Sequence, residues 1–452
     1  LDQSILLFVL VKLLLALIMK PRAVIILGLT AFTRQVFAAV TALQSTQSKN
    51  VSVPTVFLPL NFYFGPNHKI STDIVLPWNN VSIEVVYDQG SENFFVFGPN
   101  AVDNWGCTGL FCQGQCNASV TTFYDNEDSP SASEPAPFSF QYIYGGFDKI
   151  YRGDTSVNDT LVFNNVGGQS STISNLRFGL ADYLQQRLRD GGMCAPAPFD
   201  LGIMGVAPVQ YGPTWNTTGP SVRSDLLEQG VIDAPVQCVW FDEAPSNVTG
   251  TYTGGALFGG VDTSKFIGPL VKLPVLRNDR SGASVGYYVP VPTTSVNGVV
   301  FEPVSNSTTS VCLLDSGTHN DDLPISFAAA EALFNATGIT RSPAGYIAWP
   351  GTCQSIPANI TIDLEWRGLN SSETVTVKIP IRAYARNNLP LDEAAGYCTL
   401  SLDSGGCVLG APFTTAAFFA ADDEKREIAL AQGGISKSGA GVDEAAVVLR
   451  IP

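Results

Sequence analysis

The tetrapeptide Asp-x-Gly-Ser/Thr occurs twice, as Asp88-Gln89-Gly90-Ser91 and Asp315-Ser316-Gly317-Thr318, half the chain length apart. Each copy follows an apolar run, Ile83-Glu84-Val85-Val86-Tyr87 and Val311-Cys312-Leu313-Leu314. Each is answered well downstream by an apolar-apolar-Gly triplet, Ile203-Met204-Gly205 and Val408-Leu409-Gly410. A single Asp-x-Gly is an ordinary turn signature. Two copies with matching flanks, in the same order in each half, predict a duplicated structural unit that brings two carboxylates into equivalent settings.

Short apolar or alternating runs punctuated by Gly, Pro, Asn and Asp make up most of the chain (81–87, 94–97, 138–144, 236–241, 287–291, 299–301, 311–314, 359–364 and 375–379), the pattern of an all-β protein. Helical periodicity is confined to part of 175–189, to 222–228 and to 325–335. Residues 125–137 form a polar, Pro-containing surface loop. With 45% hydrophobic and 14% charged residues the chain can build a large core. Its 40 acids against 25 bases repel a phosphate backbone, so no nucleic-acid partner is expected. The two histidines, His68 and His319, are too few for a multi-histidine metal site. A Ser-His-Asp triad would rest on one of them. Neither metal nor cofactor is expected, and carboxylates are the source of any hydrolytic chemistry.

Lys20 and Arg22, the apolar stretch 23–32 and the small-residue pattern Val36-Phe37-Ala38 read as a signal peptide cleaved near Ala38, with an uncleaved anchor over 1–38 as the alternative. Sequons at Asn50, Asn80, Asn117, Asn158, Asn216, Asn247, Asn306, Asn335, Asn359 and Asn370 fit a secreted glycoprotein. Nine cysteines then read as disulfides with one thiol left over, and Cys238, inside the apolar run 236–241, is the candidate for that thiol.

From Lys69 to Ala431 the sequence resembles the pepsin-like aspartic proteases. The stretch Phe138-Ser139-Phe140-Gln141-Tyr142-Ile143-Tyr144-Gly145 is similar to the family's flap strand. Phe199-Asp200-Leu201-Gly202-Ile203-Met204-Gly205 is similar to its FDGILG segment with one extra residue. Gly255-Ala256-Leu257-Phe258-Gly259-Gly260-Val261-Asp262, Val408-Leu409-Gly410-Ala411-Pro412-Phe413 and Ile428-Ala429-Leu430-Ala431 resemble its GxLxFGGxD, ILGDxF and IGxA segments. The second loop and the ending Ala429-Leu430-Ala431-Gln432 lean toward fungal yapsin-like and candidapepsin-like members.

The resemblance implies a two-lobed, all-β acid-protease fold with a central cleft. It divides the chain into 1–38 (signal or anchor), 39–68 (linker or short pro-region), 69–268 (N-terminal lobe), 269–431 (C-terminal lobe) and 432–452 (C-terminal extension). It implies a secreted, monomeric aspartic endopeptidase that hydrolyses a peptide or protein bound as an extended strand at acidic pH. Asp88 and Asp315 would be the catalytic pair, supported by Gly90, Ser91, Ser316, Gly317 and Thr318. Tyr144 and Gly145 would close over the substrate. By the same analogy Cys107 pairs with Cys112 and Cys353 with Cys398. Cys116–Cys194 and Cys312–Cys407 complete the set only as guesses, because sequence does not fix connectivity.

Some positions depart from the family pattern. Gln89 replaces a Thr or Ser whose hydroxyl bonds across the lobes, whereas Ser316 keeps its half; Phe95 stands where Trp is usual; Leu76-Pro77-Trp78-Asn79-Asn80 replaces Gly-Thr-Pro-x-Gln; and few cations precede Lys69. Asp321 and Asp322 follow the second loop, either as solvated acids or facing a basic substrate side chain. The alternative function is a catalytically silent, protease-like binding or inhibitory protein.

Overall fold

The computed structural model describes residues 54–64, 69–99, 101, 123–144, 149–165, 170–186, 202–208, 221–248, 250–276, 286–304, 310–386, 395–437 and 439–452. The fold is all-β and two-lobed, with few short helices. Period-two burial creates its strands. In Val56–Phe64 every second residue points inward, and the strand runs antiparallel to Gly250–Phe258, with Phe62 opposite Tyr252 and their rings 5.2 Å apart. This strand lies within the stretch 39–68. It belongs to a 14-stranded sheet that runs from Ile267–Pro274 at one end to Ala136–Tyr144 at the other. The second half adds a five-stranded sheet around Val311–Leu314 and a four-stranded sheet around Thr361–Arg367.

Val222–Glu228 is helical, as its spacing indicates. The expected helix at 325–335 spans Phe327–Thr337. The Ser326 side chain accepts from the Ala329 N–H at its start, and Gly338, at φ 82°, ends it. The helix expected in 175–189 is wrong. The described part of the stretch is strand, Ser170–Ala181 followed by Tyr183–Gln186. Leu176, Phe178 and Leu180 alternate inward, so an apolar set read as one helical stripe is one face of a pleated strand.

The duplicated order of the sequence is a duplicated geometry. Val81–Asp88 lies parallel to Gly202–Gly205, with Asp88 opposite Gly205, and Gly202–Gly205 pairs antiparallel with Phe94–Phe97. In the second half Val311–Leu314 lies parallel to Val408–Leu409, which pairs antiparallel with Asp321–Leu323. Both Asp-x-Gly loops therefore leave the end of one strand and return on the far side of an apolar-apolar-Gly strand.

Cys312–Cys407 and Cys353–Cys398 are disulfides, and Cys238 is a buried free thiol. Cys107, Cys112, Cys116 and Cys194 lie outside the described residues. Cys312–Cys407 joins the two parallel strands behind the second loop, its Cα atoms 4.6 Å apart, and closes a sequence separation of 95. Loop-closure entropy on this scale is worth about 5 kcal/mol. The double variant Cys312→Ala/Cys407→Ala should lose about 2–5 kcal/mol of stability, read as a lowered denaturant midpoint. An unchanged midpoint would show that the brace is redundant.

The C-terminal segment is part of the body. Val447–Val448 pairs with Val261–Asp262, and Ile451 is buried against the core.

Candidate active site

The two Asp-x-Gly loops meet. A β-carbon built on Gly317 would lie 2.5 Å from Asp88 Oδ1 and 3.2 Å from Asp315 Oδ1. One built on Gly90 would lie 2.5 Å from the Asp315 carboxyl carbon. Each glycine thus sits against the other half's carboxylate, where no larger residue fits, and both carboxylates gather around one point.

Their hydrogen bonds repeat. Asp88 Oδ1 accepts the Gly90 N–H at 2.8 Å, and Asp315 Oδ1 accepts the Gly317 N–H at 3.0 Å. Ser91 donates to Asp88 Oδ2 in a short hydrogen bond, and Thr318 donates to Asp315 Oδ2 at 2.7 Å. The hydroxyl and amide thus fix each carboxylate plane from its own loop. Burial, and then the Asp315 charge beside it, raise the Asp88 carboxyl well above the usual carboxylate range; the Ser91 hydrogen bond only partly offsets them.

The loops are tied across the pseudo-twofold by Ser316. Its Oγ accepts the Gln89 N–H at 3.0 Å and donates to the Tyr87 carbonyl at 2.7 Å. The reciprocal tie is missing: the Gln89 side chain is buried, and its Nε2 has no partner among the described residues. A backbone amide does the work that a longer side-chain amide was a candidate to do.

Tyr144, at the end of strand Ala136–Tyr144, packs its ring 6.4 Å from Phe95 and 5.6 Å from Tyr151. Its hydroxyl is buried beside Ser91, Asn93 and the Asp88 carboxylate, without a close hydrogen bond among the described residues. Burial, with Asp88's charge behind it, pushes that hydroxyl's pKa well up. Phe95 has no ring N–H to offer it. Gly145 lies outside the described residues.

Asp321 is neither solvated nor available to a substrate. It is fully buried, and its Oδ1 accepts the Gly410 N–H at 2.6 Å. Asp322 is half-buried, and its Oδ1 accepts the Gly406 N–H at 2.9 Å. The sequence pattern misled here because both acids lie on strand Asp321–Leu323, whose neighbours cover them.

A second polar group escaped the sequence reading. Arg223, fully buried on helix Val222–Glu228, donates through Nη1 to the carbonyls of Val206 and Ala207 at 3.1 and 3.0 Å and to Tyr287 Oη at 2.7 Å. Its Nη2 donates to the Pro235 carbonyl and meets Asp423 Oδ2 at 2.8 Å. Gln237 Nε2 also donates to the Val206 carbonyl and to Tyr287 Oη, and its Oε1 accepts from Tyr87 Oη. Burial opposes the guanidinium charge, but the Asp423 carboxylate and the Tyr287 and Tyr87 hydroxyls outweigh it and hold Arg223 protonated. The network joins the residue before Asp88 and those after Gly205 to the second half. Its members are scattered along the chain, and no local motif marks them.

A two-lobed β fold whose halves each deliver an Asp-x-Gly carboxylate to one point defines the class of pepsin-like aspartic proteases. Residues 71–433 match the model of the eukaryotic aspartyl protease family, and the chain belongs to that family. It is 27% identical over 338 residues to the "Probable aspartic-type endopeptidase opsB" of Aspergillus fumigatus, over 70% of this chain and 62% of that protein. It is 26% identical to "Secreted aspartic protease 8" of Candida albicans, over 81% of this chain and 76% of that one. It is 23% identical to pepsin B of the dog, over 69% and 68%. The Aspergillus and Candida relatives agree with the lean toward fungal members.

Proposed function

We propose that this chain is a secreted aspartic endopeptidase in which Asp88 and Asp315 activate water against a peptide bond. The single observation carrying the reading is the approach of each loop glycine to the opposite carboxylate. Two carboxylates this close cannot both be ionised at acidic pH, so the pair holds one proton as a unit, as in aspartic proteases generally. The ionised member takes a proton from water while the protonated member hydrogen-bonds the scissile carbonyl. The attacking oxygen forms the tetrahedral intermediate, and a proton from the pair goes to the leaving nitrogen as the C–N bond breaks. Ser91, Thr318, Gly90 and Gly317 keep both carboxylates oriented without holding the shared proton.

Strand Ala136–Tyr144 ends the order of the large sheet, and an edge strand of this kind favours an extended peptide substrate with Tyr144 above it. Two disulfides support an oxidising compartment, and the printed name of the Candida relative supports secretion. The lobe boundaries 69–268 and 269–431 belong to this reading, as does a monomeric state.

Gln89 favours a second reading, a silent homologue that binds peptides without cutting them, because its buried amide leaves the cross-lobe tie one-sided. The two are separated by incubating an unfolded protein at about pH 3–5 with and without a statine-type transition-state mimic. Cleavage that the mimic abolishes is the expected result. A folded sample that binds the mimic yet cuts nothing establishes the silent reading.

A further inference from the structure

The two residues after Gly205 are held on both sides. Val206 N–H donates to the Asp88 carbonyl at 2.7 Å and Ala207 N–H to the Ser91 carbonyl at 2.9 Å, so adjacent amides clasp both ends of the first aspartate loop. The carbonyls of the same two residues accept from Arg223 Nη1, and Gln237 Nε2 adds a second donor to Val206 at 3.1 Å. Arg223, Val206 and Ala207 are all fully buried.

The Val206 C=O and the Ala207 N–H belong to one peptide unit. That unit is planar and trans, so its oxygen and its hydrogen point to opposite sides. Donors on the oxygen therefore aim the N–H, and they polarise it into a stronger donor. The line runs from the guanidinium through this peptide to the Ser91 carbonyl, and Ser91 Oγ donates in turn to Asp88 Oδ2.

The second half braces its loop differently. There Gly410 opens helix Ala411–Ala416, and the helix supplies its own donors: Thr414 Oγ1 bonds the Gly410 carbonyl at 2.9 Å and Thr415 Oγ1 the Pro412 carbonyl at 2.8 Å. Ala411 N–H donates to the Thr318 carbonyl at 2.8 Å. A local helical turn thus supports the Asp315 loop. The Asp88 loop depends instead on a side chain 16 residues beyond Ala207, itself fixed by Tyr287 and Asp423 of the second half.

We propose that Arg223 is a positioning residue for the reaction: by gripping the Val206–Ala207 peptide it sets the Asp88 loop against Asp315, a role separate from its ion pair with Asp423. The inference rests on the reading of Asp88 and Asp315 as the catalytic pair. A displaced Asp88 leaves the substrate-binding surface in place but meets the attacking water in the wrong geometry, and misplacement on the ångström scale costs up to about 100-fold in rate. Loss of the clamp falls on kcat and spares KM.

Charge and clamp separate in the double variant Arg223→Met/Asp423→Leu. It strands no charge, so folding stability returns toward the wild-type value, yet the Val206 and Ala207 carbonyls still lack the guanidinium. Two readouts are taken well below the denaturation midpoint. Turnover of an unfolded protein should show kcat lowered by about tenfold or more with KM near the wild-type value. Amide hydrogen exchange at Val206 and Ala207 should quicken by about tenfold or more, while Ala411, the clasping amide of the second loop, keeps its protection. Wild-type kcat or wild-type exchange would overturn the proposal and leave Arg223 an ion-pair partner only. Equal quickening at Ala411 would overturn it too, since the loosening would then not be confined to the Asp88 loop. Should the double variant not fold, Gln237→Leu keeps the ion pair, removes the other donor from Val206 and is read in the same two ways. A wild-type chain that cuts nothing at any pH would defeat the catalytic reading alone, and exchange at Val206 and Ala207 would still decide whether Arg223 sets the loop.

Discussion

Replacing either Asp88 or Asp315 by asparagine should lower kcat by on the order of 10³–10⁴-fold and leave the fold in place. The amide keeps the acceptor that receives the Gly90 or Gly317 N–H, so the loop geometry survives. What disappears is the pair's ability to hold one proton between two equivalent sites. The Asp88→Asn variant carries a further signature. Burial and Asp315 raise the native Asp88 carboxyl, so the folded chain binds a proton that the unfolded chain releases, and stability is lost as pH rises above the unfolded value. An uncharged amide removes that loss. The variant should therefore be inactive and, near pH 7, at least as stable as the parent. Turnover assays on an unfolded protein and melting curves at acidic and neutral pH check both halves of the result. A near-normal rate in either variant would remove that residue from the catalytic pair.

The second large effect is structural. Arg223→Met leaves the Asp423 carboxylate buried without its guanidinium partner and strips donors from the Val206 and Ala207 carbonyls. Breaking one side of a fully buried ion pair costs about 3–5 kcal/mol, which a denaturation midpoint would read directly. The double variant Arg223→Met/Asp423→Leu should recover much of that loss, since no charge is then stranded. Equal losses in the single and double variants would mean that the carbonyl hydrogen bonds, and not the charge pair, carry the energy.

The parts of this molecule that could be read from its sequence are those encoded locally. Asp88 and Asp315 announced themselves because each sits in a four-residue motif at the end of an apolar strand, and the motif repeats. The strands 94–97 and 311–314 were legible because they are short apolar runs between turn formers. The failures share a cause, which is that burial by distant chain is invisible locally. Leu176, Phe178 and Leu180 give an apolar set compatible with either period until a partner strand selects one. Asp321 looked like a surface acid because nothing near it in sequence tells that Gly410 and Tyr384 will cover it. Arg223, Tyr287, Gln237 and Asp423 form one cluster only after both halves have folded together. The pairing Cys312–Cys407, a guess at the sequence level, is explained by the parallel register of Leu313 with Val408.

That disulfide makes the two halves unequal in the kind of insult each withstands. Among the described residues, the strand leading to Asp315 is sewn to its neighbour by sulfur, whereas the strand leading to Asp88 is held through Tyr87 by a web of charge and hydroxyls. A thiol reductant therefore acts directly on the fastening of the Asp315 strand, whereas a change that neutralises Asp423 acts on the web around Tyr87. Reduction of Cys312–Cys407 would thus release the strand that carries Asp315 from its neighbour while leaving the Tyr87–Gln237–Tyr287–Arg223 contacts chemically untouched.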